Sequence, residues 1–266
     1  MEEKICIFCN EPNESKSIEH IIPESLGNKL YVMPIGSVCD ECNSRFSKHE
    51  QKALEKSILA FERSRFGIET KAGKTSKGNL EQLKFEGDKN FTKGVVSIKD
   101  GIDNANFKIT DPKKKIGKLT VPSFDKSEVS TSKLLLKMGL ESIYISKRKV
   151  FDKNDFTDLK NFLGNKNNTD WPFVTRELKY DDQGMFKNIL GDYKLRYKLR
   201  FIYKSELKYY QKSQTELLFR FNYGSISFFI NLLNRGLDWI PSFFQKEEKI
   251  KVYPHHFEKK VEKLTR

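Results

Sequence analysis

The sequence predicts an α+β chain, with an N-terminal region bound around a metal and a basic α+β region with antiparallel strands after it. Three observations lead there. All four cysteines lie in two CxxC pairs, Cys6/Cys9 and Cys39/Cys42, inside a stretch too polar and turn-rich to fold on apolar burial alone. Charge is divided, since residues 1–50 hold nine acids and five bases, leaving a net +17 to the rest of a chain whose total is +13. Further along, apolar residues alternate in some runs, as in strands, and recur at helical spacing in others.

At 266 residues and 37% hydrophobic content the chain can bury a core. The uneven charge argues for two domains, 1–66 and 80–266, joined by a small, basic linker at 67–79. A positive balance of this size implies an anionic partner, nucleic acid before an acidic membrane surface. No run of about 18 apolar residues occurs, so no membrane span is expected. Met1-Glu2-Glu3-Lys4-Ile5 has acids where a signal peptide needs cations. The expected location is the cytoplasm, where paired CxxC motifs are metal ligands more often than disulfides.

In chain order, strand-like patches fall at 4–8 and 31–33. A helix is predicted from Asp40, as N-cap, through Phe46, Glu50, Ala53, Ile58 and Phe61 to Phe66, with Gly67 as its C-terminal cap. Strands are predicted around Leu83 and Phe85, over 95–98 and over 107–110, with Lys113, Lys114 and Lys115 as a basic loop. A helix follows from Ser130 or Thr131 to Tyr144, then a shorter one after Asn154 that uses Phe156, Leu159, Phe162 and Leu163 and stops at Gly164. Between Tyr193 and Tyr203 a strand would put Lys194, Arg196, Lys198 and Arg200 on one face and Leu195, Tyr197, Leu199 and Phe201 on the other. A second strand pattern spans 217–230, with Gly224 as turn or bulge. The tail from Lys246 is basic and weakly patterned, and His255-His256 within it is read as surface.

The cysteines match a four-thiolate Zn²⁺ site, in which each CxxC turn presents two ligands of a tetrahedron. Redox or unpaired cysteines are the lesser alternative. Between the pairs lie 29 residues, more than a zinc ribbon needs, and this loop carries Glu19-His20. A closed four-ligand zinc holds structure and does no chemistry, so any catalysis comes from elsewhere.

Cys6-Ile7-Phe8-Cys9, then Glu19-His20-Ile21-Ile22-Pro23 with Ser25-Leu26-Gly27, then Cys39-Asp40-Glu41-Cys42-Asn43 resemble the HNH endonucleases of the ββα-metal fold. The zinc-stabilised branch marked by Glu-His-x-x-Pro-x-x-Leu-Gly is the nearest in pattern. The resemblance covers about residues 5–55, and many relatives carry Asp where this chain has Glu19. It implies that His20 is the general base that deprotonates the attacking water. It also implies that Glu19 and Asn43 give oxygen ligands to a catalytic Mg²⁺ or Mn²⁺, beside a structural Zn²⁺ on Cys6, Cys9, Cys39 and Cys42. The third position of the motif falls on His49 or Glu50, as ligand or supporting group. Without the zinc frame, His20 would read as a packed or capping residue and Asn43 as a helix-start hydrogen-bonder.

The function the resemblance implies is hydrolysis of DNA phosphodiester bonds, in restriction or defence against foreign DNA, by a chain that pairs as a homodimer to cut both strands. Arg45 is a candidate phosphate contact, as are Lys194, Arg196, Lys198 and Arg200, which in a strand would stand about 6.6 Å apart. A solvated, charge-protected edge strand is the competing reading of that run. Two rival functions remain, a non-catalytic zinc-ribbon protein that binds nucleic acid and an RNA-cleaving enzyme of the same fold.

Overall fold

The computed structural model describes residues 4–166, 169–177, 205–211, 213–245 and 248–264. The expected basic strand at 193–203, with Lys194, Arg196, Lys198 and Arg200, lies outside them. The fold is α+β with antiparallel strand pairs. Helices α1 (Asp40–Glu55) and α2 (Ile58–Arg65) come first, then strands β1 (Lys77–Leu80), β2 (Leu83–Gly87), β3 (Val96–Asp100), β4 (Phe107–Asp111) and β5 (Ile116–Leu119). Helices α3 (Glu128–Ser146), α4 (Arg148–Lys153) and α5 (Thr157–Leu163) follow. Strands β6 (Phe173–Glu177), β7 (Ser205–Gln211), β8 (Leu217–Tyr223) and β9 (Ile226–Asn231) lead to α6 (Trp239–Phe243), β10 (Ile250–Tyr253) and α7 (Glu258–Leu264). Two compact units result, one of residues 1–21, 31–48 and 132–266, the other of residues 22–30 and 49–131.

The first unit is built on a five-stranded sheet of order β10-β6-β9-β8-β7. Strand alternation sorts its side chains into two faces. Val174, Leu218, Phe229 and Val252 pack with Trp239, Ile240 and Phe244 in one core. Phe173, Phe219, Phe221 and Phe228 are their fully buried alternates. Helix α3 lies on this second face so closely that a Cβ at Gly139 would come within 2.7 Å of Leu232 and 3.2 Å of Phe219. Further along α3, Ser142 meets the hydroxyl of Tyr209. At the other end, the Ser132 hydroxyl donates to Trp171 O at 2.6 Å, and the Trp171 indole donates to Asn231 O at 2.8 Å. The turn at Gly224, φ +63°, makes a β8–β9 hairpin of the predicted 217–230 pattern. The tail is more ordered than its pattern suggests, because β10 pairs with β6 and Phe257 and Val261 reach the core.

In the second unit α2 packs on the β1-β2-β3 sheet through Ala60, Leu80, Leu83 and Phe85, and β4 and β5 form a separate hairpin. The single helix expected over 40–66 is two helices. Ser57 divides them, its extended backbone (φ −133°) breaking the helix while its hydroxyl donates to Ala53 O at 2.6 Å and accepts from Leu59 N–H at 3.2 Å. One side chain thereby satisfies a carbonyl of the ending helix and an amide of the starting one. Gly67 follows the C-cap Phe66 at φ +62°, as a terminating glycine should. Residues 70–76 form a turn, and β1 begins at Lys77, inside the stretch read as a linker. The 3-10 turn Glu24–Leu26 is closed by Gly27, φ +83°, whose N–H donates to Glu24 O, so Ser25-Leu26-Gly27 is structural.

Candidate active site and metal centre

The N-terminal site starts from two backbone turns. In the first, Cys6 N–H donates to Glu11 O and Asn10 N–H to Cys6 O, with Asn10 in the left-handed region at φ +62°. The second leads into α1, and Ile7 N–H bonds to Ser37 O to tie the two together. Their four sulfurs lie within 4.8 Å of one another, with Cys9 and Cys39 Sγ 3.8 Å apart. A tetrahedron with Zn–S bonds of about 2.3 Å has edges of about 3.8 Å, so the cage has the size of a zinc site. Backbone amides already point at it, Cys39 N–H to Cys6 Sγ and Cys42 N–H to Cys39 Sγ, both at 3.4 Å. Such outer contacts steady thiolates.

The proton balance agrees. A hydrogen bond from the Cys42 thiol holds Cys6 down at about 4, and the same bond, with burial, pushes Cys42 far up. Sulfurs this close cannot all shed their protons without a cation between them. Phe8 packs edge-on against Phe46 at 4.6 Å beneath the cage.

Glu19 and His20 lie in an extended segment paired with residues 31–33. His20 bridges to Val32, Ile21 N–H donates to Tyr31 O, and Met33 N–H donates to Glu19 O. With α1 after it, this is a minimal ββα arrangement. Successive side chains of an extended chain point to opposite sides. Glu19 is accordingly only 6% exposed, while the His20 ring is half-buried with Nδ1 at its buried edge and without a hydrogen-bond partner.

What Glu19 meets inside was missed in the sequence. Its carboxylate accepts a hydrogen bond from Lys137 Nζ of α3, and Lys137 lies 4.0 Å from Glu141 Oε1 one turn further on. Lys137 and Glu141 side chains are 3% and 0% exposed, among Leu134, Leu135, Leu136, Met138 and Leu140. Taking ions out of water costs several kcal/mol each, so such a cluster survives only through mutual pairing. The available signal was a Lys and a Glu four residues apart inside the mostly apolar run 134–143 of α3.

A prediction follows from the pairing. Lys137→Ala should destabilise the protein by about 3–5 kcal/mol in urea unfolding, because it strands a buried carboxylate. Lys137→Met combined with Glu19→Gln should recover much of that loss. A double variant as unstable as the single one would assign the effect to packing rather than to charge.

The other candidates are placed along α1. Asp40 accepts hydrogen bonds from Ser15 and Ser17, which hold its carboxylate below the usual range and tie the start of α1 to the segment entering Glu19. Asn43, half-buried, lies three residues on along that helix face, its N–H donating to Cys39 O at 3.0 Å. His49 and Glu50 are half-buried further along α1, with Glu50 two turns from Asn43 and His49 off that face. Arg45 is bonded to Glu41 at 2.6 Å across one helical turn. The tail histidines are on the surface, His255 near Glu258 and His256 near Asp170. Tyr209 and Tyr210, partly buried, pack on Phe219 and Phe243.

Among the described residues no helix is long and apolar enough to cross a membrane. Searches of curated proteins and of solved structures return no match. Residues 6–59, about a fifth of the chain, match a family model described as HNH endonuclease. The matched segment holds the four-cysteine cage, Glu19, His20 and Asn43, so residues 6–59 are similar to HNH endonucleases, a likeness that supports a nuclease-type function, and carry a cysteine cage fit for structural zinc.

Proposed function

We propose that the protein is a metal-dependent endonuclease that hydrolyses phosphodiester bonds of double-stranded DNA. Residues 1–66 carry the chemistry, 67–79 link, and 80–266 bind DNA or sense a trigger. The observation that carries the reading is the Glu19-His20 pair in one extended segment, its carboxylate buried against charged groups of α3 and its imidazole turned to the opposite, half-open side. His20 takes a proton from the attacking water. Glu19 and Asn43 would hold Mg²⁺ or Mn²⁺, whose positive charge favours the pentavalent phosphate and the leaving 3′-oxygen. The donor set, a carboxylate and an amide oxygen, suits a hard cation. Lys137 fixes the Glu19 carboxylate, and His49 or Glu50 completes the site. The products are a 5′-phosphate and a 3′-hydroxyl.

In the cell this activity fits restriction of foreign DNA in the cytoplasm by a homodimer. The test incubates zinc-loaded protein with end-labelled duplex DNA and RNA in parallel, across Mg²⁺, Mn²⁺ and no added cation. Divalent-dependent DNA cleavage is expected. Cleavage of RNA alone moves the substrate to RNA, and binding without cleavage under every cation makes the region a zinc-ribbon binding module.

A further inference from the structure

A second feature of the N-terminal region lies beside the zinc turn, where Cys9 and Cys42 form part of its wall. A crevice of about 130 Å³ runs between the first CxxC turn with the start of α1 and the helix α5 with the turn after it. Its apolar floor is Phe8 and Phe46, and its polar lining is Asn10, Arg45, Thr157, Lys160, Asn161 and Lys166. Three cations and two amides line it beside those cysteines, with no carboxylate among them. Arg45 and Lys160 are half-buried, so both charges meet a lower dielectric than at an open surface, where an anion would be held more strongly.

The walls are held in place. Lys160 Nζ donates to Asn10 Oδ1 at 3.0 Å, joining α5 to the zinc turn and leaving the ammonium two further donors. Gly164 N–H donates to Lys160 O at 2.8 Å and Lys166 N–H to Asn161 O at 2.9 Å, closing the turn that carries Lys166. Lys133 of α3 pins that turn from below through Asn165. Among the described residues, the carboxylate bonded to a lining cation is that of Glu41, on Arg45, and it is largely solvated and binds through a single guanidinium nitrogen. A fixed, partly desolvated recess of cations and amides without a carboxylate is built for a tetrahedral oxyanion.

The geometry points to this crevice, lined by Arg45, Lys160 and Lys166, as a subsite for a backbone phosphate of the nucleic acid outside the scissile position. It rests on the nuclease reading for the identity of the ligand, and it gives the zinc turn a second task, that of a wall against which substrate is held. Such a contact positions the strand and reads no sequence.

The test measures binding of a fluorescein-labelled duplex by anisotropy between low and moderate salt, with zinc-loaded protein and no added divalent cation. Lys160→Gln/Lys166→Gln is compared with native protein and with Lys108→Gln/Lys118→Gln, an equal loss of exposed charge on β4 and β5. Removal of one phosphate contact should make the slope of log K against log salt shallower by about 0.9, which the control pair should not do. Lys166→Gln alone, at an exposed position, should give a smaller change of the same sign and guards against a folding defect at Lys160. Competition by inorganic phosphate beyond that of chloride at equal ionic strength, lost in the double variant, would support the oxyanion chemistry of the recess. A variant slope equal to native, or a change no larger than that of the control pair, overturns the subsite and leaves the nuclease reading intact. Native protein that binds neither DNA nor RNA overturns both.

Discussion

His20→Ala is expected to lower the single-turnover rate of DNA cleavage by about 10²–10⁴-fold, the usual worth of a positioned general base, while zinc content and thermal unfolding stay at native values. The expectation depends on separation of tasks. His20 is not a member of the four-cysteine cluster, and its neighbour Glu19 is buried whereas the imidazole is half-buried. Removing the ring deletes a proton acceptor and half a surface side chain, leaving the cage and the buried cluster alone. Added imidazole should restore part of the rate, which a merely structural histidine would not allow. An unchanged rate in His20→Ala would sink the assigned base.

Loss of the cage should have the larger consequence for folding. Cys42→Ser is expected to abolish stoichiometric zinc binding and, with it, cleavage. Apparent zinc-binding free energies of about 10–16 kcal/mol in small four-ligand sites match or exceed the whole stability of an ordinary domain, about 5–15 kcal/mol. Residues 4–39 contain little regular structure to survive without it, only isolated bridges and a short 3-10 turn before α1. Hydrogen exchange should show lost protection at Cys6, Ile7, Ile21 and Met33 amides, whereas strands β8 and β9 retain theirs. Full zinc content and native exchange in Cys42→Ser would remove the cage from its structural role.

What could be read from the sequence was what rests on local chemistry. Two CxxC turns, an acid and a histidine side by side, and an asparagine one residue past a cysteine are each visible within a few positions. The apolar runs of α3 and α5 and the aromatic alternation of β8 and β9 are equally local. Partnerships across long separations were not legible. Nothing near Glu19 announces Lys137, 118 residues later, because a lysine in a helix normally carries its charge to solvent. The break at Ser57 was hidden for a related reason, since the apolar spacing of α1 and α2 runs nearly in phase and only the serine hydroxyl interrupts it. Strand β10 is four residues long in a cationic tail, too short for its alternation to stand out.

Gly139 gives this separation a mechanical meaning. It sits between Lys137 and Glu141 on α3, and the absence of a side chain lets the helix touch Leu232 and Phe219 of the C-terminal sheet. The depth at which α3 seats on those strands therefore sets the height at which Lys137 meets Glu19. A bulkier residue at 139 would act as a shim, lifting the ammonium from the carboxylate without altering a single residue of the matched segment. By the same geometry, a fragment cut after residue 66 would keep every motif letter yet lose the Lys137 ammonium, so the matched segment leans on a helix that lies outside it.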